Sequence, residues 1–428
     1  MRVYTKEIFL PTGKLELNGS VNALRLESIR AQPIRFVITE TFPAGHNCEV
    51  DFLDPAGSGY DLALGSIFNF RQREYEHTDK FTTVLLIPTG IGAELGGHCG
   101  DGNAVARLMA SSCDALITHP NVVNASDINT LPENGLYVEG SIITRLLMGQ
   151  LGLQKVRSNR VLMLADKHPD NFFNNEIVNA VSSARVTLGL DCDVVHMENI
   201  MEMASLYAKS GRAIGTVNHL ERLFKIIDKY KAQYDAVGLS TFIQVPEHFH
   251  KEYFNDENDM VNPWGGIEAM LTHSIAEVYQ IPCAHAPMMA SREVMELEVG
   301  IVEPRKAPES SSITYLHCIL RGLYRSPRIV NHKFGLSVED ISCLVIPYGC
   351  VGLPTLACLE QGIPVIAVKE NKNLMKNTLE DLPFKDGKLF VVNTYIEAAG
   401  VIQALKAGVT TQSVRRPICY TRVTTEVK

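Results

Sequence analysis

Six glycines, a histidine, a cysteine and two acids fall within "IPTGIGAELGGHCGDGN", residues 87–103. Gly90, Gly92, Gly97 and Gly100 would let backbone N–H groups approach a small anion, and Asn103 stands where a helix begins. His98, Cys99 and Asp101 would supply reactive or orienting groups. A second stretch, "YGCVGLPTLA" at 348–357, sets Cys350 between Gly349 and Gly352, at a strand end before a helix. A thiol there is expected to ionise readily, because the helix dipole and free N–H groups favour thiolate. Two thiols on opposite faces of a carbon would act as base and acid in a proton transfer, and one alone as a nucleophile.

Other residues could join such a site. His119 and Asn121 lie in "THPNVVNASD", downstream of the glycine-rich stretch and near Asp127. Arg305, in "GIVEPRKAPE", could grip a carboxylate bidentately, with exposure to solvent as the plainer alternative. Cys283 and His285 share a face if "IPCAHAP" is a strand. His248 and His250, in "EHFH", could bind metal with Glu247 or His285, but no third-ligand pattern supports a metal site. The glycine spacing is neither a Walker nor a clean dinucleotide fingerprint, so a small carboxylate ranks above a nucleotide. No cofactor is expected.

The elements that must position these groups read as α/β. Nine short apolar segments, "TTVLLIPTG", "CDALITHPN", "RVLMLADKH", "CDVVHMENI", "YDAVGLSTF", "IPCAHAP", "SCLVIPYG", "IPVIAVKEN" and "KLFVVNTY", alternate with helical stretches. Continuous apolar strands alternating with helices imply parallel sheets covered on both faces. The expected architecture is two parallel-sheet, Rossmann-like lobes around a cleft, at 79–235 and 236–428, after a small β-rich region at 1–78. The units beginning "LLIPTG" (85–90) and "LVIPYG" (344–349) echo each other as strand, Pro-x-Gly turn, helix and strand. If the echo is real, the two turns would face each other across a cleft at the strands' carboxyl ends. The polar loop 247–266, with the chain's single tryptophan, reads either as a binding loop or as an exposed connection.

Two resemblances add to this. "GCVGLPTLA" resembles the second-cysteine motif of the aspartate/glutamate racemase superfamily, with Val351 where that family has threonine. The resemblance implies Cys350 as a catalytic thiol in a cofactor-free enzyme of two similar halves. "PTGIGAELGGHCGDGNAVARLMASSCDALITHPNVVNASDI", with "YVEGSIITRLLMG" and "NPWGGIEAMLTH", resembles a family of unknown function from cyanobacteria and plants; it implies no particular activity.

Composition narrows the rest. Charged residues make 21% of 428 and the net charge is −8, without a basic stripe for nucleic acid. No apolar run is long enough to span a bilayer, and the first residues lack a signal peptide's apolar core. The protein is therefore expected to be cytoplasmic, or a mature form whose address has been removed. Ten cysteines without a CxxC pair read as mostly free and buried. The expected function is a cofactor-independent, cysteine-dependent isomerase or racemase acting on a small anionic metabolite, with Cys99 and Cys350 as the proton-transfer pair; a homo-oligomer is compatible with this. A sugar-nucleotide or phosphometabolite transferase or epimerase, a metal-dependent enzyme using histidines and a non-catalytic binding protein remain alternatives.

Overall fold

The computed structural model describes residues 1–426 apart from 12–30, 63, 99, 199–200, 247–248, 250–251, 255–259 and 296–299. The nine apolar segments read from the sequence are all strands. Six of the fold's parallel strands form one sheet in the order β18 (Leu389–Val392), β17 (Val365–Val368), β15 (Ile341–Pro347), β4 (Thr82–Leu85), β5 (Ala115–Thr118) and β6 (Gly135–Tyr137). A four-stranded parallel sheet runs β13 (Cys283–Pro287), β12 (Ala236–Thr241), β8 (Arg160–Asp166), β9 (Asp191–Met197). Every residue of β4, β5, β12, β15 and β17 is buried. Their unbroken apolar character follows from helices on both faces, and each fully buried Val, Ile or Leu contributes roughly 1.5–3 kcal/mol.

The β-rich beginning supplies three strands of a six-stranded sheet, β10 (Glu202–Tyr207), β11 (Ala213–Asn218), β1 (Arg2–Leu10), β3 (Gly45–Asp54), β2 (Gln32–Phe42) and β16 (Val351–Gly352), paired antiparallel throughout. A two-stranded ribbon, β7 (Leu151–Gln154) with β14 (Arg328–Asn331), lies apart from these sheets.

Sheets and sequence blocks do not coincide. The larger parallel sheet takes β4–β6 from before residue 235 and β15, β17 and β18 from after it, and the smaller takes two strands from each side. The lobes expected at 79–235 and 236–428 are therefore interleaved: burying β4 on both edges requires the late strand β15 as its neighbour. The echo between the two Pro-x-Gly units has a spatial meaning. β4 and β15 are adjacent and parallel, and the chain leaves them in opposite directions, to β5 and to β17. That reversal of strand order opens a crevice at the carboxyl ends.

The Gly265–Tyr279 helix packs against both the antiparallel sheet and β13. Asn262 Oδ1 starts it by accepting the N–H groups of Trp264 and Gly265, at 2.9 and 3.1 Å. Gly266 lets it approach: a Cβ there would meet Ala213 O at 2.1 Å.

Candidate active site

A cavity of 470 Å³ opens at the carboxyl ends of both parallel sheets, walled by the loop after β4, the ends of β5 and β13 and the Gly265–Tyr279 helix. Two carboxylate–imidazole pairs face it. Glu139 caps the Gly140–Leu147 helix, its side chain accepting from the N–H groups of Ser141 and Ile142 and from the Ser141 hydroxyl. A carboxylate is favoured there by the unpaired N–H groups of the first turn. Its other oxygen lies 3.2 Å from His273 Nε2 and 3.4 Å from Thr272 Oγ1. In the second pair Glu268 Oε2 sits 3.2 Å from His285 Nδ1, and His285 Nε2 is 2.8 Å from Thr241 Oγ1. Glu268 and Thr272 are one helical turn apart, so one face of one helix serves both pairs.

His119 also lines this cavity. Its Nε2 accepts the Ile87 N–H at 3.2 Å, which puts the ring proton on Nδ1. Burial, helped by repulsion from His273, draws its pKa down to about 4, so it is a neutral donor. His98 also lines the cavity, its Nδ1 2.7 Å from Tyr253 Oη, which in turn donates to Glu309 at 2.7 Å.

The glycine-rich stretch thus contributes a wall, and its residues divide. His98, Gly90, Gly97 and Gly100 line the cavity, as do His119 and Asn121; Gly92, Asp101, Asn103, Gly349 and Arg305 do not. The glycines also permit close backbone packing. A Cβ on Gly97 would meet Ala93 O at 1.9 Å, one on Gly100 the Asn124 carbonyl carbon at 2.0 Å, and one on Gly90 Ala213 O at 2.9 Å. Asn103 is a latch, donating to the carbonyls of Gly100 and Val123, and Asn121 donates to those of Ile87 and Gly96. Arg305 is held by Glu94 and Glu303, at 3.2 and 3.0 Å, so its fork is not turned to the cavity. Asp101 accepts the His98 N–H at 3.3 Å, while its other oxygen is buried with no partner among the described residues. Burial raises its pKa to about 7.

The cysteine expectations are revised. Cys99, Glu247, His248 and His250 lie outside the described residues. Cys350 and Gly352 line a second, smaller cavity of 160 Å³ at the reversal point between β4 and β15. Pro88 and Ile91 of the first turn also line it, so the two Pro-x-Gly units do face one space. The thiol of Cys350 is not activated there. Burial pushes its pKa up to about 12, against the pull of Arg212, because a desolvated thiolate outweighs the helix terminus. Cys283 is a core residue 3.3 Å from Thr272 O, and the catalytic pairing with His285 does not form. Among the described residues no group of three or more metal-ligating side chains is placed to hold an ion.

The family described as "Protein of unknown function (DUF3326)" matches residues 82–415, over three quarters of the chain. The chain belongs to this family. The DUF3326 match spans both parallel sheets and every wall segment of the larger cavity. The chain is also 33% identical, over 335 residues, to a protein of Synechococcus sp. named "Uncharacterized lipoprotein", covering 76% of this chain and 91% of that one. That name corrects the expectation of a cytoplasmic protein, which rested on the lack of a spanning apolar run and of a signal-peptide core. No helix among the described residues is long and apolar enough to cross a membrane. No solved structure matches. The whole-chain resemblance seen in the sequence is the DUF3326 membership, whereas the local racemase likeness around Cys350 has no counterpart in these matches.

Sequence reasoning passed over Glu139, Glu268 and His273. The signal was present in "YVEGSIITRLLMG", where an acid precedes Gly-Ser at a helix start, and in "NPWGGIEAMLTH", where an acid and a threonine share a helical face and a histidine follows the threonine.

Proposed function

We propose that this DUF3326 protein is a proton-transfer enzyme of the isomerase or racemase kind, acting on a small carboxylate. The observation that carries this reading is the convergence of two carboxylate–imidazole pairs, Glu139–His273 and Glu268–His285, on one cavity. A carboxylate beside an imidazole fixes its tautomer and stabilises the imidazolium formed when the ring takes a proton. Glu139 favours a proton on His273 Nε2, which leaves Nδ1, without a hydrogen-bond partner, as the basic nitrogen. His119, neutral with its proton on Nδ1, is suited to donate to a developing oxyanion. The thiol of Cys350 is not part of this chemistry, since it stays protonated at neutral pH.

The test is solvent exchange. The protein is incubated in D₂O with a panel of amino acids and 2-hydroxy acids, and loss of the substrate C–H signal is followed by NMR. Exchange with at least one compound, lost in His273→Gln, is expected. Absence of exchange across the panel, or an unchanged rate in His273→Gln, refutes the reading. The relative's lipoprotein name supports a membrane-surface location for this chain as well. Recovery of the native protein in the soluble fraction of its source cells would count against that location.

A further inference from the structure

The 160 Å³ cavity at the β4/β15 reversal is built unlike an ordinary packing void. Its wall carries three guanidinium groups, Arg35, Arg145 and Arg212, against one carboxylate, Glu277. Arg212 is 6% exposed, and its single acidic contact is through Nε, 3.1 Å from Glu49. Among the described residues nothing accepts a hydrogen bond from its two terminal nitrogens. Arg35 is engaged by Asp51 through Nε and Nη2, leaving Nη1 buried with no partner among the described residues. Arg145 gives Nη2 to the Ala276 carbonyl and sets Nε 3.3 Å from Glu277.

Arg35 Nη1, Arg145 Nε and Arg212 Nε are buried without a hydrogen-bond partner among the described residues, and buried donors are rarely left unmet in a folded protein. Burial and then repulsion from Arg35 draw the Arg212 pKa down to about 10, against the pull of Glu49 and Asp51. The Leu353–Gln361 helix also begins on this wall, with Gly352 at its N-cap and no side chain capping it. The rest of the lining is largely apolar, with Ile34, Phe36, Leu86, Ile346 and Met375. Thr89, His119, Gly140, Ala269 and His273 wall both this cavity and the larger one, so the two adjoin at the imidazoles.

We propose that the arginine-lined cavity is an oxyanion site, which receives a carboxylate or phosphate group carried on a short apolar stem, with Arg212 as its principal ligand. As the place of the substrate's anionic end the site rests on the proton-transfer reading, but its binding is measurable without turnover.

Isothermal titration calorimetry of the full chain with inorganic phosphate and, separately, with butanoate tests it. Binding of either ion supports the site, and the ion that binds identifies which oxyanion it takes. Arg212→Gln should weaken binding by roughly ten- to a hundredfold, the effect of losing charge-assisted hydrogen bonds. Because Glu49 would then lack its buried partner, Arg212→Lys is the companion variant: it keeps the charge but loses the fork, with an expected loss of about tenfold. No binding of either ion at millimolar concentrations, or affinity unchanged within twofold in Arg212→Lys, overturns the proposal. Anion binding without any solvent exchange would remove the proton-transfer reading and keep this site. Exchange without anion binding would do the reverse.

Discussion

Asp101 provides a sharp test of how the glycine-rich turn is held. Its carboxyl is largely buried, with one oxygen on the His98 N–H and, among the described residues, no partner for the other. Burial raises its pKa from 3.8 to about 7. A carboxyl whose folded pKa is raised contributes stability that is complete below the unfolded pKa and is lost as pH climbs through the folded one. Between pH 5 and pH 8 this linkage amounts to roughly 2–3 kcal/mol, at about 1.36 kcal/mol per pKa unit. Asp101→Asn removes the titration while keeping an acceptor for His98. Urea unfolding of both proteins at pH 5 and pH 8 measures the effect. The wild-type chain should lose roughly 2–3 kcal/mol more than the variant over that interval, and the variant should be the more stable at pH 8 relative to its own standing at pH 5. Equal pH dependence in the two proteins would show that Asp101 is ionised and solvated in the fold, and the account of the turn would fail.

The remaining predictions concern the same site. With its thiol pushed up to about 12, Cys350 should alkylate far more slowly at pH 8 than the exposed Cys419, by iodoacetamide labelling and mass spectrometry; early modification of Cys350 would restore an activated thiol. Gly97→Ala should cost roughly 1–3 kcal/mol as an overpacked contact against Ala93 O, read from the urea midpoint; a neutral substitution would show that the turn can relax. Glu139→Gln keeps acceptors for the Ser141 and Ile142 N–H groups but not the charge beside His273. Solvent exchange should fall by roughly a hundredfold or more, in the range of lost acid–base assistance, with stability lowered by only about 1 kcal/mol. A full-rate variant would remove Glu139 from the chemistry.

Much of the architecture was legible in the chain itself. Nine apolar segments bounded by Gly, Pro, His or Asn became nine parallel strands, and in β4, β5, β12, β15 and β17 burial on both faces leaves no room for polar alternation. The three-residue β6 was not foreseen: Gly135–Tyr137 is too short for its apolar content to stand out. The hairpin of β10 and β11 joined the N-terminal sheet from 200 residues away, a pairing set by edge hydrogen bonds that no local pattern encodes. The placing of His98, Gly90, Gly97, Gly100, His119 and Asn121 around one cavity was readable, since turns at the carboxyl ends of parallel strands converge.

What the sequence by itself determined was the class of fold, the membership in DUF3326 and the turn that forms one wall of the site. The tertiary structure alone decided which side chains meet. Glu139 and His273 are 134 residues apart and touch because two helices cross. Cys350, placed by its local pattern at an activating helix end, is instead buried, where desolvation outweighs the helix N-terminus. Local sequence encodes backbone preference and burial pattern over a few residues, whereas acid–base character depends on the dielectric and the charges assembled around a group from the whole chain.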